Sequence, residues 1–163
     1  MKAQLIDGKL ISAEIKAEAA EEAAALKAQG IEPCLAVVLV GDNSASKVYV
    51  SNKEKACAAV GIKSVSHVLP EATTEEELLK LIDALNKDAN VHGILVQMPV
   101  PKHIDDRKVI MAISPDKDVD CFHPVNVGYL HTGAKGFLPC TPAGIIELIK
   151  RSGHSIAGKN CVV

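Results

Sequence analysis

The chain has 163 residues, 48% of them apolar, with two Phe, two Tyr and no Trp, so a one-domain core built from Ala, Val, Ile and Leu is expected. Eighteen Lys and Arg stand against 20 Asp and Glu, a net charge of −2 without a long run of either sign, which argues against nucleic-acid binding and a membrane-surface role. The five Cys form no C-x-x-C pair, the six His form no H-E-x-x-H frame, and no apolar run approaches the ~20 residues of a membrane helix. Reduced thiols in a cytoplasmic protein without a metal are the expectation.

In chain order, residues 10–29 are rich in Ala, Glu and Lys and predict a helix stopped by Gly30. Residues 34–40, CLAVVLV, are a short continuous apolar run, the pattern of a strand covered on both faces. A second helix is predicted over 44–60, ended by Gly61, and a strand over 62–69. Thr74 with Glu77 three residues later is a capping box and starts a helix running to Lys87. Residues 91–97 predict another buried strand, 105–113 and 125–130 short helices, and Thr141-Pro142 a capped helix start running to Ser152 and stopping at Gly153. Residues 159–163, KNCVV, complete a third helix-Gly-strand repeat and predict the first strand of a further βα unit. This alternation predicts an α/β fold of three layers, α/β/α, with a mostly parallel sheet.

Three constellations could carry chemistry. On the helix from Ser44, the residues Ser46, Tyr49, Lys53 and Cys57 fall within roughly 80° of one another at ~3.6 residues per turn, whereas Lys47 and Lys55 lie on the other side. Lys53 is either desolvated there, favouring its neutral form for acid/base work, or reaches past its neighbours to water. Gln97 ends a buried strand before Met98-Pro99-Val100-Pro101, which delivers an amide to the carboxyl edge of the sheet, the ligand-binding edge of open α/β folds; alternatively it satisfies loop backbone. Asp116, Asp118 and Asp120 have the spacing of a calcium loop, but Cys121 replaces the required Gly and Val127 the bidentate Glu, so calcium is rejected.

Together these segments resemble the bifunctional methylenetetrahydrofolate dehydrogenase/methenyltetrahydrofolate cyclohydrolase family. The resemblance rests on A-S-x-x-Y-V-x-x-K at 45–53, L-V-Q-x-P-x-P at 95–101, K-D-V-D at 117–120 and P-C-T-P at 139–142, in the family's order and spacing. It implies Lys53 as the lysine handling proton and water when the methenyl bridge opens, Tyr49 as the ring that stacks on the folate, Gln97 as the partner of that lysine, and Asp120 as the carboxylate gripping the pterin. Val50, Val96, Met98 and Pro99 are implied around the substrate, Ser46 and Cys140 as supporting neighbours, and Thr141 on the cofactor side.

The resemblance further implies tetrahydrofolate derivatives as substrates and NADP as hydride acceptor. It implies a homodimer, a catalytic domain over 1–150, and, over 151–163, a linker and the first strand of an NADP-binding Rossmann-type domain. Two departures stand out. Cys121 occupies a position that is usually Gly, where a positive φ would cost a side chain roughly 1 kcal/mol or more. The glycine-rich G-R-S-x-x-V-G-x-P segment is not within the 163 residues, so the chain alone is expected to lack dehydrogenase activity. The competing readings are a folate-binding module without turnover or an inert fragment whose cleft is incomplete without a further domain, and the amino-terminal domain of another two-domain dehydrogenase.

Overall fold

The computed structural model describes residues 5–162. They form α1 (Gly8–Ala28), β1 (Cys34–Val40), α2 (Ser44–Ala59), β2 (Lys63–Leu69), α3 (Glu75–Lys87), β3 (Gly93–Val96), α4 (Asp106–Ala112), a 3-10 turn at Pro115–Lys117, α5 (Pro124–Thr132) and α6 (Cys140–Arg151). The sheet has the order β2-β1-β3, with β1 central and parallel to both neighbours. Parallel pairing forces each connection to cross over a sheet face, and the helices supply those crossovers.

β1 shows how an unbroken apolar run serves two cores. Its even residues, Ala36, Val38 and Val40, pack with Leu78 and Ile82 of α3, with Val109 of α4 and with Ile94 and Val96 of β3. Its odd residues, Val37 and Leu39, pack on the other face with Val50 of α2 and Leu95 of β3. Side chains alternate across a strand, so a strand covered on both faces must be apolar throughout. Away from the sheet, Arg151 of α6 reaches α1, with its two terminal nitrogens each 2.7 Å from an oxygen of Glu18.

The local signals act largely as expected. Thr74 Oγ1 accepts from the Glu77 backbone N–H at 3.2 Å while the Glu77 carboxylate accepts from the Thr74 N–H at 2.8 Å, which closes the capping box of α3. Gly30 and Gly61 follow α1 and α2 with φ of 80° and 74°.

Two expectations fail. Helix α6 does not start from a Thr141 cap: Pro139 stands at the cap position without a side-chain bond, and Thr141 lies inside the first turn. Pro142 is tolerated there because the first four N–H groups of a helix have no intrahelical partner, so a proline need not mark the first residue. The strand expected over 159–163 is also not formed by residues 159–162, and Val163 lies outside the described residues. A strand exists only through pairing, and Cys161 and Val162 are exposed and pair with no strand among the described residues.

Candidate active site

Helix α2 places Lys53. Val50 anchors the helix on the sheet at 5% exposure, and Lys53, one turn on, is half-buried with its amine directed to the end of β3. There Lys53 Nζ donates to Gln97 Oε1 at 2.9 Å. Gln97 is held from two sides. Its backbone N–H donates to Val38 O at 2.8 Å, extending the ladder from β1, and its Nε2 donates to Met98 O at 2.8 Å. That bond turns the NH₂ toward the carbonyl and the amide oxygen, the group's acceptor, toward the donating lysine.

Asp120 comes from the loop after the 3-10 turn. Asp118 pairs with Ile94 of β3 in a single parallel bridge, and Gly93 lets the loop approach: a Cβ there would meet Val119 Cγ1 at 2.6 Å. Asp120 is half-buried. Burial pushes its carboxyl above the usual carboxylate range, Lys53 opposes the rise and Asp118 adds to it. Cys121 follows at φ 59°, the one non-glycine with positive φ among the described residues, and is 2% exposed. The departure seen in the sequence therefore falls where the backbone favours glycine.

Helix α6 brings Cys140 and Thr141 to the same place. Cys140 Sγ lies 3.7 Å from Val119 O. Burial raises the thiol's pKa, the Asp120 carboxylate adds to the rise and Lys53 opposes it, so the group is a neutral thiol near pH 7. Lys53, Asp120, Cys140 and Thr141 line one cavity of about 630 Å³, which continues past Cys57 of α2 to Cys34 and Gly93 at the beginnings of β1 and β3. The volume suits a small heterocyclic ligand.

The remaining expected residues divide into two groups. Tyr49 precedes Lys53 by one turn of α2 and is 61% exposed, so its ring is open to a flat ligand. Pro99 is exposed after a cis Met98-Pro99 bond. Ser46 is buried, Val50 belongs to the core on the α2 face, and Val96 and Met98 pack into the core on the α3 face. None of these six residues lines the cavity, and neither does Gln97, which reaches it only through its bond to Lys53.

Sequence reasoning missed Gly93 and Asn126. A lone glycine inside an apolar strand pattern is a signal of close backbone approach, and that would have found Gly93. Nothing local marks Asn126, which is 2% exposed and donates to Asp118 Oδ2 and to Pro115 O, both at 2.9 Å.

Comparison with known proteins gives a consistent result. Residues 6–120 match the family model described as tetrahydrofolate dehydrogenase/cyclohydrolase, catalytic domain. The chain is 56% identical over 163 residues to the bifunctional protein FolD of Ruminiclostridium cellulolyticum, covering 100% of this chain and 57% of that protein. It is 63% identical over 161 residues to the protein of the same name from Agathobacter rectalis, covering 99% and 58%. The crystal structure of the Campylobacter jejuni bifunctional enzyme FolD superposes with a TM-score of 0.90 at 54% identity, over 92% of this chain and 54% of that one. The Trypanosoma brucei methylenetetrahydrofolate dehydrogenase-cyclohydrolase, solved with NADP cofactor and an inhibitor, gives 0.90 at 39% identity, over 98% and 55%. The chain thus spans somewhat over half the length of the relatives it matches.

Proposed function

Because the chain belongs to the tetrahydrofolate dehydrogenase/cyclohydrolase catalytic-domain family, we propose that it is the folate-handling part of a bifunctional enzyme. That enzyme oxidises 5,10-methylenetetrahydrofolate to the methenyl form with NADP and hydrolyses the product to 10-formyltetrahydrofolate. The observation that carries this reading is the Lys53–Gln97 hydrogen bond of 2.9 Å beside a cavity that Lys53 shares with Asp120.

The chemistry follows from the groups present. Asp120 is an acceptor for the amino and ring N–H donors of a pterin, and its partly desolvated setting strengthens those bonds. Tyr49 offers a ring face one helical turn from Lys53, so stacking holds the heterocycle against the amine. Gln97 fixes the amine with an oxygen acceptor and leaves its other positions for substrate and water. In hydrolysis, water adds to the electrophilic methenyl carbon, and Lys53 relays the proton that leaves the water and the proton that the departing ring nitrogen takes up.

The described residues do not by themselves fit a dinucleotide. The Gly-led loop before α2 has the Glu71 carboxylate beside Gly41, where a Cβ would project, and that charge would repel a pyrophosphate. Thr141 is the single residue placed on the cofactor side in this reading. NADP would be held by parts of the enzyme beyond a catalytic domain of residues 1–150, with 151–163 as the connection to them. A homodimer in the cytoplasm completes the reading; among the described residues no helix is long and apolar enough to cross a membrane.

The test is hydrolysis of methenyltetrahydrofolate, followed by loss of its absorbance, together with titration of a folate analogue. Lys53→Met is expected to cut hydrolysis about 100-fold or more while leaving analogue affinity within about threefold. Near-normal hydrolysis in the variant would remove Lys53 from the mechanism. Analogue binding without turnover in the parent chain would favour the binding-module reading.

A further inference from the structure

Asp118 and Asp120 are both in K-D-V-D, yet the structure uses them differently. Asp118 is 2% exposed and its carboxylate faces away from bulk water into its own loop. Oδ2 accepts from the His123 N–H at 2.9 Å and from Asn126 Nδ2 at 2.9 Å, and Oδ1 accepts from the Phe122 N–H at 3.3 Å. The Asp118 carbonyl accepts from the Cys121 N–H at 3.2 Å, so the chain closes on itself over four residues, with Cys121 in the left-handed region at the turn. Asn126, equally buried, ties the same carboxylate to Pro115 O and thereby joins α5 to the 3-10 turn. Asp120 sits inside this closed loop.

We propose that Asp118 and Asn126 are positioning residues whose buried hydrogen-bonded pair fixes where Asp120 stands opposite Lys53. The inference deepens the functional reading above, since it concerns how the residue assigned to the pterin is held. The physical case is one of constraint. The five-residue loop between the bridge at Asp118 and the start of α5 has no ladder of its own, and its shape comes from the donors gathered on one carboxylate. A buried carboxylate left without one of those donors forces the loop to open toward water. The titratable groups near enough to act on Asp120 include Lys53 from α2, Cys140 from α6 and Asp118 from its own loop. Asp118 therefore also acts on Asp120 through its charge, keeping its carboxyl higher than Lys53 alone would.

The test uses the whole chain and reads the Asp120 carboxyl directly by carbon-13 NMR titration, beside thermal melting and folate-analogue affinity. Asp118→Asn removes the neighbouring charge and is expected to lower the Asp120 midpoint by about half a pH unit or more. Asn126→Ala keeps the charge but frees the loop; it is expected to lower the midpoint through hydration and to weaken analogue binding about tenfold. If Asp118→Asn fails to fold, Asn126→Ala and Asn126→Ser carry the test. Thr132→Ala, on α5 but outside the network, is expected to leave both the midpoint and the affinity at parental values. An unchanged Asp120 midpoint and unchanged affinity in folded Asn126→Ala would overturn the proposal. Should the parent chain bind no folate analogue, the functional reading falls, and the Asp120 midpoint still decides this one.

Discussion

The two faces of the sheet are built to different ends. On the α3 face, Leu78 and Ile82 are fully buried against Ala36, Val38 and Ile94, and α4 closes the layer through Val109. On the α2 face, the packed cluster is small, Val37, Leu39, Val50 and Leu95, and beside it lies the 630 Å³ cavity with Lys53 and Asp120. The same strand, β1, supplies both. One face of its alternation serves close packing, while the other supports a space into which polar side chains are held from helices and loops. Helix α6, on the open side, has no fully buried side chain, and Ile145 and Ile146 are 52% and 37% exposed. Close packing and the candidate site are thus separated by the thickness of one sheet.

Four substitutions would break or sharpen that contrast. The largest effect is expected from Ile82→Ala on the closed face, about 3 kcal/mol of stability lost in denaturant titration, because a cavity opens where neighbours cannot collapse. Cys121→Val should cost about 2 kcal/mol by the same measurement, since a β-branched side chain is worse than Cys at φ 59°. Asp120→Asn should be a smaller, pH-dependent change of opposite sign. The folded-state carboxyl of Asp120 is raised, so its contribution is fully present below the unfolded carboxylate pKa and is lost as pH rises through the folded value. The variant therefore gains on the parent as pH rises from about 3.5 to neutrality, checked by melting across that range, while analogue binding declines. Ile146→Ser, on the open side, should change stability by no more than about 0.5 kcal/mol. A large loss there would show that α6 is packed more tightly than its exposure indicates.

The elements most legible in the sequence were those with a local cause. The capping box at Thr74 and Glu77, the glycine stops at 30 and 61, and the apolar run at 34–40 each act within a few residues, and each stands where expected. The start of α6 was less legible, because Thr141-Pro142 is compatible with two helix phases and Pro139 decided between them. Residues 159–162 are not a strand in this structure for a different reason: pairing is a long-range property, and apolar composition alone cannot supply the partner. At the site, helical spacing put Tyr49 and Lys53 on one face, and the structure keeps them one turn apart on α2. The pattern could not show that Val50 and Val96 would turn into the cores on opposite faces of the sheet, or that one aspartate of K-D-V-D would be buried and the other half-exposed to a cavity.

By itself the sequence determined the α/β alternation, the helix ends with caps and glycines, and the motif set that marks the family, because these depend on neighbours in the chain. Only the tertiary structure decided that Lys53 meets Gln97 across 44 positions of sequence, that Gly93 admits Val119, and that Asp118 folds its loop around its own carboxylate. Those contacts join segments whose separation is set by the parallel sheet, and a crossover fold brings distant residues together only once every intervening element has packed.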